Sequence, residues 1–151
     1  MTVTDLPRQA SRRLAQLSAM LLLATAIIVS APRAGAQDSD PAIEGVITRQ
    51  IEAFLSNDVD RAFTFASPMI QQMFVTPQRF GQMVRQGYPM VWRPSEVTMG
   101  ELRRERGRLV QSVILRDGAG ALFIADYEMI EIDGAWRING VRIRRAPDAG
   151  A

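Results

Sequence analysis

The chain has 151 residues, 47% of them hydrophobic and 23% charged, the composition of one compact domain and not of a disordered tail or a repeat array. It contains neither Cys nor His, so disulfides, thiol nucleophiles, Cys/His zinc sites and a Ser-His-Asp triad are excluded. Its formal charge of +2 is carried by arginine, with no lysine, and what that charge means depends on the first 36 residues.

Arg8, Arg12 and Arg13 form a basic head, residues 19–29 an apolar run, Pro32 breaks it, and Ala34-Gly35-Ala36 follows as a small-residue cleavage site. Residues 1–36 therefore read as a secretory signal peptide. The apolar run falls short of the roughly 20 residues that a membrane span needs, which favours cleavage over an anchor. Ser11-Arg12-Arg13 resembles the start of a twin-arginine signal, but Ala15 and Gln16 follow where that motif wants large apolar residues, so the general secretory route is the default. Without Cys there is no lipid attachment, and the expected location is periplasmic or secreted, with no stable membrane anchor after cleavage. Cleavage removes four Arg and Asp5, leaving 14 Arg against 15 acids, a net charge of −1. The basic charge belongs largely to the leader, and the case for a nucleic-acid or anionic-membrane partner goes with it.

What remains, residues 37–151, reads as a single α+β domain with a core over about 41–145. Ile43, Val46, Ile47, Ile51, Phe54 and Leu55 recur at helical spacing behind Asp40 as N-cap and Pro41 in the first turn, which predicts a helix over 41–56. Asp58 caps a short second helix through Val59, Ala62 and Phe63. Ser67-Pro68 and Thr76-Pro77 each pair a hydroxyl cap with a proline, predicting helices over 68–74 and 77–86. Phe80, Met83 and Val84 form the buried stripe of the latter, Gly87 is expected to end it in a left-handed conformation, and Tyr88-Pro89 predicts an extended exit. Beyond Tyr88 the period moves toward two. Strands are predicted over 95–103, 107–116, 120–132 and 135–145, joined by hairpin turns at Glu105-Arg106-Gly107, Asp117-Gly118-Ala119-Gly120 and Asp133-Gly134. In the last strand the apolar phase shifts from Trp136 and Ile138 to Val141 and Ile143 across Asn139-Gly140, which predicts a bulge. The expected architecture is N-terminal helices packed on a bent four-stranded antiparallel sheet, with a cavity between the layers and with Trp136 and Ile138 buried against Ile47, Ile51 and Phe54.

Phe63-Thr64-Phe65-Ala66-Ser67-Pro68, the segment Phe80 to Val84, Gly87-Tyr88-Pro89 and the closing Trp136-Arg137-Ile138 resemble a family of exported bacterial proteins, the domain of unknown function 4864. The resemblance spans about 41–145 and implies a fold similar to the nuclear transport factor two and cystatin-like α+β cone. It implies no activity, so no catalytic residue is carried over from it.

Three constellations could carry chemistry. Asp126 and Glu128 lie two apart on a strand, on one face and roughly 7 Å from each other, a spacing compatible with acid and base roles. Tyr127 points to the other face beside Phe123, Ala125 and Met129, and the plainer reading makes the carboxylates the polar half of an alternating strand. The second is aromatic and sulfur-rich: Phe63, Phe65, Met69, Met73, Phe74, Phe80, Met83, Tyr88, Met90 and Trp92 crowd into 30 residues. They suit an ordinary core, or an adaptable apolar pocket in which Tyr88, Trp92, Tyr127, Phe65 and Met83 are the candidate ligand contacts. The third is the arginine-rich pair of segments Arg103, Arg104, Arg106, Arg108 and Arg142, Arg144, Arg145, an anion grip or, more simply, a solvated face.

No Gly-rich phosphate loop, cofactor motif or nucleophile elbow is present, and helix capping accounts for the acid pairs Asp38-Ser39-Asp40 and Asp58-Val59-Asp60 without a metal. The expectation is a noncatalytic module that binds a small apolar ligand or serves as a scaffold. The alternatives are a protein-interaction module or homodimer, and a carboxylate- and Tyr-dependent isomerase- or hydratase-like enzyme. If the leader is read correctly, N-terminal sequencing of protein recovered from outside the cytoplasm finds Gln37 first, whereas an intact membrane-bound N-terminus restores the anchor.

Overall fold

The computed structural model describes residues 39–146; the leader, its cleavage site and Asp38 lie outside them. Five helices come first. Helix α1 spans Pro41–Leu55, and the Asp40 carboxylate accepts from the Ala42 and Ile43 amides at 2.9 and 3.4 Å, satisfying two of the donors that a helix start leaves free. Its inner stripe is Ile43, Val46, Ile47, Gln50, Ile51 and Phe54. Leu55, expected in that stripe, is exposed. Helix α2 spans Val59–Thr64 under an Asp58 cap, α3 spans Pro68–Phe74 under Ser67, and α4 spans Pro77–Gly87 under Thr76.

Two expectations fail after α4. Gly87 stays helical, and the segment after it is not extended: Pro89–Trp92 form a one-turn helix, α5. The Tyr88 carbonyl accepts from the Val91 and Trp92 amides at 2.9 and 3.0 Å, Pro89 has the φ that a first helical turn wants, and the turn buries Val91 and Trp92. Gly81 marks the crossing of α4 over α2, where a Cβ would come within 2.4 Å of the Val59 side chain. Only a residue without a side chain lets the two helices approach that closely.

The sheet is antiparallel in the order β1 (Glu96–Glu105), β2 (Arg108–Arg116), β3 (Leu122–Ile132), β4 (Ala135–Arg145). Arg106-Gly107 and Asp133-Gly134 hold positive φ at both turn positions, the geometry that matches a two-residue hairpin to strand twist. In β4, Glu128 pairs with Gly140 while Met129 pairs with Ile138, so Asn139 is the extra residue of the predicted bulge. A second bulge, unread in the sequence, lies in β1 between Met99 and Leu102.

Registry sorts the faces. Val113 and Leu115 of β2 and Ala125, Tyr127 and Met129 of β3 are buried on the helix side. Ile138 joins them, but Trp136 is only half-buried at the margin of the core, since it stands opposite exposed Glu131 near the strand end. Phe80 is the hub of the helical layer, with ring centroids 5.9 Å from Phe54, 5.3 Å from Phe63 and 5.7 Å from Phe74. Tyr127 is fully buried, and among the described residues its hydroxyl has no hydrogen-bond partner. Because an unpaired buried hydroxyl carries its desolvation cost uncompensated, Tyr127→Phe should raise stability by about 1 kcal/mol in chemical denaturation. A loss of that size would show instead that the hydroxyl is satisfied in solution.

Candidate functional site

The arginine- and acid-rich face of the sheet carries an ion-pair network around Asp126, Glu128 and Glu105, with Arg106 beside it and in none of the described ion pairs. Asp126, 7% exposed, receives a hydrogen bond from Ser112 Oγ at 2.7 Å and contacts Arg103 at 3.1 Å and Arg144 at 3.5 Å. Burial alone would push its pKa up, but the Ser112 hydroxyl and the two guanidinium groups outweigh burial and hold the carboxyl below its ordinary value. Glu128 is likewise held low against its own burial, by Asn139 Nδ2 at 2.7 Å and Arg108 at 2.8 Å. Glu105 bridges Arg103 and Arg142 at 3.3 and 2.9 Å. Tyr127 is buried on the opposite side of the sheet, its ionisation pushed up by burial. The sheet thus brings Asp126 and Glu128 to one face, as the spacing predicts, but each is occupied by arginines and neither shares a cavity with a tyrosine. Asp126 is also less solvated than the polar half of a plain alternating strand would be.

The helix side carries a different feature. A groove of about 450 Å³ opens between α3, α4 and the β4 bulge, within the range of small-molecule pockets. Its walls are Met69, Met73 and Phe74 of the α3 side, Phe80, Met83 and Tyr88 of the α4 side, and Ile138 to Val141 of β4. No charged residue lines it. Met69 and Met73, four apart on α3, stand at its rim 50% and 65% exposed.

Local backbone accounts for the groove. The extra residue at Asn139 lets Ile138 and Val141 face the same side. The free edge of β4 is taken by Phe65–Ser67: Ile138 N donates to Phe65 O at 2.9 Å and Ser67 N to Ile138 O at 2.8 Å, so α3 starts from a fixed point on the sheet. It ends at Val75, where φ is 67° and Thr76 N donates to Phe74 O at 2.7 Å, a γ-turn of the rare, strained kind. A β-branched residue there stores on the order of 1–3 kcal/mol, and the turn directs the chain straight into α4.

Of the five candidate contacts, Tyr88 and Met83 line the groove. The other three do not. Trp92 is buried in the core, 5.3 Å from the Phe54 ring, with the Arg85 guanidinium 4.6 Å over its own. Tyr127 is sealed within the core, and Phe65 packs below Arg49 at the α2 end. Of the wider aromatic and sulfur-rich set, Met69, Met73, Phe74 and Phe80 also line the groove, whereas Phe63 and Met90 do not. Gln50 was not foreseen: it interrupts the apolar stripe of α1, and a polar residue at a core-facing helical position is the signal that marks it. Among the described residues no three Asp or Glu side chains gather as a metal would require, and no helix is long and apolar enough to cross a membrane.

Fold and groove together define a small α+β domain with an apolar recess between its helices and its edge strand. The chain belongs to the family of the domain of unknown function DUF4864, whose sequence pattern matches residues 36–151. No curated protein matches it.

The network on the outer face has a pH signature. The folded pKa of Asp126 lies below the unfolded value of about 3.9, so its stabilisation is complete above that value and is lost as pH falls through the folded pKa. Asp126→Asn should therefore cost about 2 kcal/mol at neutral pH and flatten the loss of stability below about pH 4. Denaturation midpoints measured across that range check both effects.

Proposed function

We propose that the domain is an exported, noncatalytic module that holds a small apolar molecule in the groove between α3, α4 and β4. The observation that carries this reading is the lining: about 450 Å³ of recess walled by aromatic, aliphatic and thioether groups without a charge. Methionine suits it because an unbranched, polarisable side chain repacks around different shapes at little cost. Export is supported by the basic head, short apolar run and Ala34-Gly35-Ala36 site, and the likeness to a cystatin-like cone by the order of helices before four antiparallel strands.

Catalysis finds less support in the geometry. A general acid or base needs a pKa brought toward the working pH, whereas Asp126 and Glu128 are held ionised and burial keeps the Tyr127 hydroxyl protonated. These groups also lie away from the groove.

Titration of the purified protein with the neutral dye N-phenyl-1-naphthylamine should give a saturable 1:1 fluorescence increase. Met83→Trp, which fills the groove from α4, should weaken that binding at least about tenfold while the circular dichroism spectrum stays native; overpacking of this kind costs roughly 1–3 kcal/mol. Absence of saturable binding, or binding indifferent to Met83→Trp, would overturn the reading.

A further inference from the structure

The groove's inner wall holds one polar feature that the fold does not use. Gln50 is 3% exposed and sits on the apolar stripe of α1, one turn before Phe54. Its Nε2 donates to the Ala62 carbonyl at 3.2 Å, which ties α1 to the end of α2 and fixes the orientation of the amide. That leaves Oε1, and among the described residues no protein group donates to it, although Gln50 lines the groove. Gln50 Oε1 is not sealed from the groove, so its acceptor position is open to water or to a donor on whatever fills the groove, and a purely apolar ligand would displace the water without replacing its hydrogen bond.

The rest of the lining narrows what that ligand is. The other side chains with polar atoms in the wall are Tyr88 and Asn139, and one of the two Asn139 amide hydrogens is already committed to Glu128. Among the described residues no arginine lines the groove, and the bulge turns Arg142 and Arg144 to the opposite face. A carboxylate or phosphate would therefore enter without a counter-charge, at a desolvation cost that neutral donors such as the Tyr88 hydroxyl offset only in part.

We infer that the groove takes a neutral, largely apolar molecule bearing one hydroxyl-type hydrogen-bond donor, with Gln50 Oε1 as the acceptor that orients it. This rests on the groove reading above and adds the polarity and the direction of the ligand. Gln50 is then the specificity-determining residue: it rewards the donor, while the Met and aromatic walls accept the body with little demand on shape. The preference expected from one buried hydrogen bond is about tenfold.

The test uses three molecules of one shape: 2-naphthol, with a donor; 2-methylnaphthalene, with an apolar group in its place; and 2-naphthoate, with an anion. Calorimetric or fluorescence titration of the intact protein should rank naphthol at least about tenfold over methylnaphthalene, with naphthoate weakest. Gln50→Met, close in volume, should bring naphthol and methylnaphthalene within about twofold of each other and leave the methylnaphthalene affinity in place. The Gln50 side-chain amide resonances of the unaltered protein should shift with saturating naphthol and not with naphthoate, a readout that does not depend on any variant folding. Equal binding of naphthol and methylnaphthalene, or a Gln50→Met protein that keeps the preference, would overturn the acceptor role while leaving the groove as an apolar site. Failure of all three molecules to bind would overturn the groove itself, and the acceptor role with it.

Discussion

A single inserted residue in the last strand governs the rest of the architecture. Side chains along a strand alternate with period two, so if Asn139 were paired in regular register, Val141 and Ile143 would face away from Trp136 and Ile138. The bulge absorbs one residue and puts all four on the helix side, turning Gly140 and Arg142 outward. Three consequences follow from one irregularity: Ile138 and Val141 become the β4 wall of the groove, Arg142 and Arg144 are brought to the other face, and the Asn139 amide reaches Glu128.

The sheet consequently separates two chemistries by its own thickness. On one side the guanidinium groups of Arg103, Arg108, Arg142 and Arg144 are consumed by Asp126, Glu128 and Glu105. Their attraction is modest where solvent screens it, but the Asp126 carboxylate is itself buried, so that losing a partner leaves its charge poorly solvated. On the other side no charged residue among those described lines the groove, and binding there is governed by contact area and by the few polar atoms the wall exposes. An anion grip on the arginine face would have to compete with carboxylates already in place, which is why the helix side is the better candidate for a site.

Most of this was legible in residue order because it depends on local rules. Capping residues and prolines at positions 40–41, 67–68 and 76–77 fix helix starts through backbone donors that only those residue types satisfy in place. The hairpin turns at Arg106-Gly107 and Asp133-Gly134 and the phase shift at Asn139 are equally local. What failed was tertiary. A left-handed Gly87 is a common helix end, but here the helix closes on Tyr88 and the chain turns again to bury Val91 and Trp92. The bulge in β1 does have a local signal, an apolar phase that moves from Val97 and Met99 to the single residue Leu102 across Gly100-Glu101. Tyr127 and Trp92 suit a ligand pocket by composition, yet the first is sealed between sheet and helices and the second stacks in the core. Aromatic composition shows that a cavity is affordable, while which rings line it depends on where helices cross.

Helix α3 shows why the groove is the adaptable part of the molecule. It has no fully buried residue, and its two methionines face solvent at the rim. Its hold on the domain is chiefly polar: Ser67 on Ile138, and the Gln71 amide on the Phe63 and Ala66 carbonyls at 3.0 and 3.1 Å. At its far end the chain bears the strain of Val75. Few apolar contacts, exposed sulfur and a strained exit place α3 at the low end of local stability. A molecule filling the groove would cover Met69 and Met73 and supply the apolar contact that the fold withholds from α3, so occupancy and the order of this helix are thermodynamically linked.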